Sequence, residues 1–152
     1  MSDWWQWSPI KANQKLGFAV VGIGRFGSAV CRELLRNGAD VLAVDFSEKA
    51  IEELRQLEPT IEARVVDSTD EESMKEAGVL EMGTVVVGIS EPIEASITTT
   101  LIAKDTEGSL VKQVIARATS DLHEKMLKRV GACLLYTSPS PRDVEESRMP
   151  SS

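Results

Sequence analysis

The sequence predicts an α/β domain in which a doubly wound parallel sheet is covered by helices on both faces. Two observations indicate this fold: short apolar strand-like segments alternate with helix-like segments, and the first of these strands runs directly into a glycine-rich turn and a helix. The composition agrees, because 42% of the 152 residues are hydrophobic but only 5% are aromatic, as in an aliphatic sheet. A chain of this length is expected to form one domain with one sizeable core.

The first strand and the turn after it have the pattern of a phosphate-binding segment. Phe18 to Val21 is a short apolar run, and Gly22, Gly24 and Gly27 follow it as G-x-G-x-x-G. Gly22 is expected to permit a tight turn, Gly24 to let backbone N–H groups approach a pyrophosphate, and Gly27 to let the next helix pack close to the strand. The positive end of that helix favours an anion at the same place.

The second strand ends in an acid at the spacing that a dinucleotide-binding unit requires. Val41 to Val44 forms the strand, and Asp45 follows it about 20 residues after the glycine turn. A carboxylate there accepts hydrogen bonds from ribose hydroxyls and disfavours a 2′-phosphate. The first half of the chain therefore predicts a site for an adenine nucleotide without a 2′-phosphate.

The remaining elements are predicted from caps and apolar stripes. The first helix runs from about Arg25 to Asn37, and the second runs from its N-cap Ser47 to about Leu57 with Ile51, Leu54 and Leu57 on its inner face. The later elements follow in order: a third strand at Glu62 to Val66, a short helix that stops at Gly78, a fourth strand at Thr84 to Ile89, a long helix from Pro92 to about Asp105 with Ile93, Ile97 and Leu101 in line, a fifth strand at Gln113 to Ala116, and a helix from about Ser120 to Val130.

Strict alternation with short loops predicts the strand order 3-2-1-4-5 and right-handed crossovers. In such sheets a ligand lies at the carboxyl ends of the strands where the order reverses, here between strands one and four. This places residues 22–27, Asp45, Asp67 and the loop Ser90-Glu91 around one crevice.

Both ends of the chain are predicted to lie outside the domain. Residues 1–15 are polar apart from three tryptophans and one isoleucine and are interpreted as a disordered leader. Cys133 to Asp143 back-translates into DNA that resembles a transposase-type sequencing adapter, and Ser147 to Ser152 resembles the flow-cell end of the same adapter. We therefore predict a domain at residues 16–132 and a non-native tail at residues 133–152, so that the sixth strand of the fold is lost or mimicked.

Charge and hydropathy restrict the partners. The net charge is −7 and no segment concentrates Lys and Arg, which argues against nucleic acid as a partner. No apolar run reaches the roughly 18 to 20 residues that span a bilayer, so direct membrane insertion is not expected. Two cysteines without metal spacing or a disulfide pattern agree with a cytoplasmic location.

The combined motifs resemble a known family. These are G-x-G-R-F-G at Gly22 to Gly27, L-A-V-D at Leu42 to Asp45, D-S-T at Asp67 to Thr69, E-A-S at Glu94 to Ser96, and K-R-V-G-A at Lys128 to Ala132. The chain is similar over about Phe18 to Ala132 to the N-terminal RCK domain (KTN, TrkA-N) of Trk/Ktr potassium-uptake regulatory subunits, with the Ktr type the nearest. The resemblance implies a Rossmann-like fold and a cytoplasmic regulatory subunit, peripheral to the inner face of the cell membrane, that binds ATP/ADP or NAD(H). It also implies assembly into dimers and rings and the gating of a membrane potassium channel or transporter.

Site residues are carried over from the resemblance by position. It implies that the glycines and Arg25 hold phosphates, that Asp45 binds the ribose and Asp67 the adenine amino group, and that Arg117 faces the same crevice. The full set of expected nucleotide-binding residues is Gly22, Ile23, Gly24, Arg25, Phe26, Gly27, Asp45, Phe46, Asp67, Ser68, Ser90 and Arg117. Val66 departs from the family pattern, in which a small residue is common, and is expected to crowd the adenine edge.

Other classes of function remain open on the residues alone. The nucleotide-binding half of an NAD-dependent oxidoreductase shares the glycine pattern, but it needs a substrate domain and an acid/base group. His123, the only histidine, is interpreted as a solvated surface residue on a helix rather than a catalytic one. No catalytic and no metal-ligating residues are therefore predicted. A purely structural interaction module would leave the crevice without a ligand.

Overall fold

The computed structural model of the chain describes residues 17–135, so the predicted leader and most of the predicted non-native tail lie outside the described residues. The strands are β1 (Phe18–Val21), β2 (Val41–Asp45), β3 (Glu62–Val65), β4 (Thr84–Val87), β5 (Gln113–Arg117) and β6 (Cys133–Leu135). The helices are α1 (Arg25–Arg36), α2 (Glu48–Leu57), α3 (Glu71–Ala77), α4 (Ile93–Asp105) and α5 (Asp121–Arg129), with a 3-10 turn at Val79–Glu81.

The six described strands form one parallel sheet in the order β3-β2-β1-β4-β5-β6. The predicted order 3-2-1-4-5 is confirmed, and the order reverses between β1 and β4 as expected. A three-residue sixth strand does form, with Cys133 beside Ile115 and Leu135 beside Arg117. It lies in the segment predicted to be non-native, and that origin stays a prediction.

Side chains of β1 alternate between two core layers. Phe18 and Val20 belong to the layer under α1 and α2, whereas Ala19 and Val21 belong to the layer under α3, α4 and α5. All four are buried because helices cover both faces of the sheet, which explains the continuous apolar run in the sequence.

The strand register aligns the loops that follow the three central strands. Val21 of β1 pairs with Val44 of β2 and with Val87 of β4. Gly22, Asp45 and Gly88 therefore stand side by side just beyond or at the carboxyl edge of the sheet, where the ligand crevice of this fold is expected.

Two of the predicted apolar stripes are wrong in detail. Leu57 at the end of α2 is 56% exposed, because six helical residues after Ile51 amount to a rotation of about 120° away from the buried side. On α4, Leu101 of the predicted stripe is exposed, and the buried face instead carries small side chains: Ser96, Thr99, Thr100 and Ala103.

The interpretation of His123 as a surface residue is also wrong. His123 and Leu127 on α5 are fully buried, whereas the more apolar Leu122 is 62% exposed. The reason is a polar partner that the local pattern does not reveal, since the His123 Nε2 atom lies 2.9 Å from the buried Ser96 Oγ of α4.

Candidate nucleotide-binding site

A crevice of about 680 Å³ lies at the carboxyl edge of the sheet, where the strand order reverses. Its walls are residues 21–24, 45–47, 67–69 and 88–92, together with Ala50 and Ala95. We call it the central crevice. Its volume falls within the range of about 300 to 1,000 Å³ that is typical of small-molecule and cofactor sites.

The three glycines of the turn have different roles in the structure. Gly22 has φ +94, a left-handed conformation that glycine adopts without strain, and its N–H donates to the Val44 carbonyl oxygen at 2.9 Å. A Cβ on Gly27 would collide with the carbonyl oxygen of Gly22, so only glycine permits this contact between α1 and the turn. A Cβ on Gly24, in contrast, would meet no atom within 4 Å and would stand in open space. Gly24 lines the crevice, and the open space beside it is available to a ligand.

Helix α1 begins at this turn without a side-chain cap. Its N-cap is Gly24, and its first turn contains no acidic residue. Helices α2, α3 and α5 are capped by the side chains of Ser47, Asp70 and Ser120, which accept hydrogen bonds from backbone N–H groups. Since the first amides of an α-helix have no intrahelical acceptor, α1 presents donors and the positive end of its dipole to an anion.

Asp45 connects the end of β2 to the glycine turn. Its Oδ2 accepts a hydrogen bond from the Ile23 N–H at 2.6 Å, and its Oδ1 accepts one from the Ser47 N–H at 2.8 Å. An ionised carboxylate has about four lone-pair sites, so both oxygens can still accept from ribose hydroxyls. Asp45 thus holds the turn in place and presents acceptors to the crevice.

Asp67 and Ser68 form the wall of the crevice that follows β3. The Asp67 side chain is exposed, and its Oδ1 accepts hydrogen bonds from the Thr69 N–H at 3.0 Å and from Thr69 Oγ1 at 2.6 Å. Ser68 is buried, and its Oγ lies 2.7 Å from Thr99 Oγ1 of α4. The carboxylate is therefore available at the surface of the loop, while the neighbouring serine anchors the loop in the core.

Eight of the twelve predicted site residues line the central crevice: Gly22, Ile23, Gly24, Asp45, Phe46, Asp67, Ser68 and Ser90. Phe46 is 76% exposed and presents its aromatic ring at the rim. Gly27 lies behind the turn, and Arg25, Phe26 and Arg117 lie outside the lining.

The two arginines expected at the site are arranged differently from each other. Arg25 is the exposed first residue of α1, whereas the Arg117 guanidinium lies over the Phe26 ring, 5.2 Å from its centroid. The charged side chains in the crevice wall are all acidic: Asp45, Asp67 and Glu91. Phosphates bound there would depend on backbone N–H groups and the α1 dipole, with Arg25 nearby as a flanking cation.

Sequence reasoning missed part of the wall. Gly88 follows β4 as Gly22 follows β1, and a Cβ added at Gly88 would lie 3.0 Å from the Gly22 carbonyl oxygen. A glycine directly after the fourth strand was the available signal. Val66, expected to crowd the adenine edge, is buried in the core layer under α3 and does not line the crevice.

His123 and Cys31, two further residues whose side chains can be reactive, lie in the core. Burial lowers the pKa of His123, and its Nδ1 accepts a hydrogen bond from the Thr119 N–H at 3.1 Å, so the neutral form with a proton on Nε2 fits this site. Burial, and then the charge of Glu58, raises the pKa of the Cys31 thiol to about 12. The thiol is therefore protonated and unreactive at neutral pH.

Comparison with known families identifies related proteins. The family model of the TrkA-N domain matches residues 18–137. The Ktr system potassium uptake protein C of Bacillus subtilis is 40% identical over 118 residues, which cover 78% of this chain and 51% of that protein. The Ktr system potassium uptake protein A of Vibrio alginolyticus is 38% identical over 115 residues, which cover 76% of this chain and 50% of that protein. The chain thus spans about half the length of these curated relatives.

Solved structures share the fold at low sequence identity. The TrkA-N domain of the inner membrane protein ybaL from Escherichia coli is 21% identical with a TM-score of 0.70, covering 90% of this chain and 96% of that one. The GsuK channel bound to NAD is 16% identical with a TM-score of 0.66, covering 78% and 21% of the two chains. GsuK bound to ADP is 16% identical with a TM-score of 0.62, covering 79% and 31%.

Proposed function

Because the chain belongs to the TrkA-N domain family, we propose that it is the nucleotide-binding regulatory domain of a potassium-uptake system and binds ATP/ADP or NAD(H) in the central crevice. The observation that carries the proposal is the space beside Gly24. A Cβ on Gly24 would meet no atom of the chain within 4 Å there, and this space lies at the uncapped start of α1 and faces a crevice with carboxylates for the ribose and the base. GsuK, which shares the fold, has been solved with NAD and with ADP.

Three groups of residues in the crevice bind the phosphates, the ribose and the base of the nucleotide. The glycine turn and the first amides of α1 bind phosphate oxygens, Asp45 accepts from the ribose, and Asp67 accepts from the adenine amino group while Phe46 lies at the rim. Ile23 and Ser90 complete the wall around the phosphates. Arg25 engages the outermost phosphate from the exposed side, and Arg117 is held beside Phe26.

The role is regulatory rather than catalytic. His123, the only histidine of the chain, is buried between Ser96 and Thr119 and cannot reach a ligand in the crevice as an acid or base. The purified chain is therefore expected to bind NADH without oxidising it when small carbonyl compounds are added. Sustained NADH oxidation would favour an oxidoreductase instead.

The Ktr relatives support a proposal about the proteins with which this chain assembles. We propose that the chain assembles with copies of itself into dimers and rings and acts on a membrane potassium channel or transporter from the cytoplasmic face. Within residues 17–135, no helix is both long enough and apolar enough to cross a bilayer. Contact with the membrane would then occur through the partner subunit.

The direct test is calorimetric titration of the purified chain with ATP, ADP, NADH and NADPH. Binding of at least one of the first three, with much weaker binding of NADPH, is expected because Asp45 disfavours a 2′-phosphate. A matched variant, Asp45→Asn, removes the charge but keeps an oxygen acceptor for the Ile23 N–H. If the chain binds none of the four ligands, the proposed function is refuted.

A further inference from the structure

Helix α4 presents hydroxyl groups to the core where an apolar stripe would be usual. Ser96, Thr99 and Thr100 are fully buried on its inner face, together with Ala103. A buried hydroxyl without a partner is costly, so each of these groups requires a defined acceptor or donor. Thr100 satisfies its own by donating to the Ser96 carbonyl oxygen of the same helix at 2.9 Å.

Thr99 is bonded to the loop after β3, which forms part of the wall of the central crevice. Its Oγ1 donates to the Ser68 carbonyl oxygen at 3.2 Å and lies 2.7 Å from Ser68 Oγ. Because the threonine hydroxyl has a single proton, Ser68 Oγ–H must be the donor in the second bond. The two residues therefore exchange a pair of hydrogen bonds inside the core, where water does not compete.

Ser68 is a buried residue of the loop between β3 and α3, in which Val66 is buried as well. Its neighbours Asp67 and Thr69 are both exposed and bond to each other. The backbone of this loop is also bonded, because the Asp67 carbonyl oxygen accepts from the Asp70 N–H at 3.1 Å and the Val66 N–H donates to the Asp45 carbonyl oxygen at 2.9 Å. The Ser68 side chain adds the contact that ties the loop to α4 next to the Asp67 carboxylate.

About one helical turn before Thr99, the same face of α4 is bonded to α5. Ser96 Oγ lies 2.9 Å from His123 Nε2, and the Nδ1 of that ring accepts from the Thr119 N–H at 3.1 Å. Helix α4 is thus held to α5 as well as to the core, which makes it a rigid support for the loop of Ser68.

We propose that Thr99 is a positioning residue for recognition of the base: through its two hydrogen bonds to Ser68 it holds the Asp67 carboxylate where it accepts from the adenine amino group. The inference rests on the proposed nucleotide binding in the central crevice. It predicts that loss of the Thr99 hydroxyl impairs discrimination of the base, while the glycine turn continues to bind phosphate.

The test compares adenine ligands with hypoxanthine ligands, which lack the amino group. Affinities for ADP and IDP, and for NADH and reduced nicotinamide hypoxanthine dinucleotide, are measured with the full chain and three variants. Thr99→Val removes the hydroxyl and keeps the shape, Thr99→Ser keeps the hydroxyl, and Thr98→Val is the matched control on the same helix. The Thr98 side chain is half-buried and makes no hydrogen bond within residues 17–135.

Wild type, Thr99→Ser and Thr98→Val are expected to prefer the adenine ligand. Thr99→Val should lose about fivefold or more of that preference, with hypoxanthine binding nearly unchanged, because only the contact with the amino group depends on Asp67. Ser68→Ala removes one of the two bonds from the other side and should lose part of the preference, which provides a second test independent of the folding of Thr99→Val.

The outcomes separate this inference from the proposed function. A Thr99→Val variant that keeps the wild-type ratio of affinities, or weakens both ligands equally, overturns the positioning role while leaving nucleotide binding intact. A wild-type chain that binds none of ATP, ADP, NADH and NADPH overturns the proposed function and the inference with it.

Discussion

Replacing Gly24 by alanine separates the binding role of the glycine turn from its structural role. The added Cβ meets no atom within 4 Å, and the residue is extended with φ −101, so the chain accepts alanine there without a clash. Loss of glycine reduces the entropy of the unfolded chain, worth about 0.4 to 1 kcal/mol of stability, whereas alanine is a poorer N-cap than glycine by a comparable amount. These effects oppose each other, and the free energy of unfolding should change by less than about 1 kcal/mol.

Binding is expected to respond quite differently. The Cβ of Gly24→Ala occupies the space through which phosphate oxygens approach the first amides of α1. A tenfold or greater loss of affinity, about 1.4 kcal/mol, is expected for ADP or NADH in calorimetric titration. Gly27→Ala is the matched control: its Cβ collides with the Gly22 carbonyl oxygen, so it should lower the unfolding free energy measured in urea.

Two results would contradict these expectations. A Gly24→Ala chain with wild-type stability and wild-type affinity would show that phosphates do not lie beside Gly24. A Gly27→Ala chain as stable as wild type would show that α1 does not approach the turn as closely as the structure indicates.

Three further predictions follow from the site and the core. Asp45→Ala leaves the Ile23 and Ser47 amides without their carboxylate acceptor. It should lower both the free energy of nucleotide binding and the free energy of unfolding by about 1 to 3 kcal/mol. An unchanged free energy of unfolding in urea titration would contradict the two hydrogen bonds. Burial lowers the folded-state pKa of His123 below its ordinary 6.5, so on acidification the unfolded chain takes up a proton first. The contribution of His123 to the free energy of unfolding is therefore fully present above about pH 6.5. Below that pH it falls by up to about 1.4 kcal/mol per pH unit until the folded-state pKa is reached. A His123→Asn variant should lack this part of the slope in unfolding titrations between pH 7 and 5, and an identical slope would exclude His123 as its source. Arg25→Ala should reduce discrimination between ATP and ADP more than affinity for ADP, since a guanidinium binds most strongly where phosphate charge is greatest; an equal loss for both ligands would indicate only a general positive potential.

Local patterns in the sequence were sufficient for the architecture. The apolar run of β1, the three glycines and Asp45 each report a requirement that is met within a few residues of chain: a strand buried on both faces, a turn that excludes side chains, and an acid at a strand end. Strict alternation then restricts the strand order, because parallel crossovers are short and right-handed. The structure confirms that order and brings eight of the predicted site residues into one crevice wall.

The choice of buried helix face is the feature for which the local sequence pattern and the tertiary structure disagree. Helix α4 carries an apolar stripe that includes Leu101 and a face of small hydroxyl residues, and its sequence alone favours burial of the stripe. The hydroxyl face is buried because its partners arrive from distant segments: Ser68 lies 31 positions from Thr99, and His123 lies 27 positions from Ser96. The same contact buries His123, which resembles a surface residue when only its neighbours along the chain are considered. Strand order and the glycine turn could thus be determined from the sequence, whereas the choice of buried helix faces depended on hydrogen-bond partners that only the folded chain brings together.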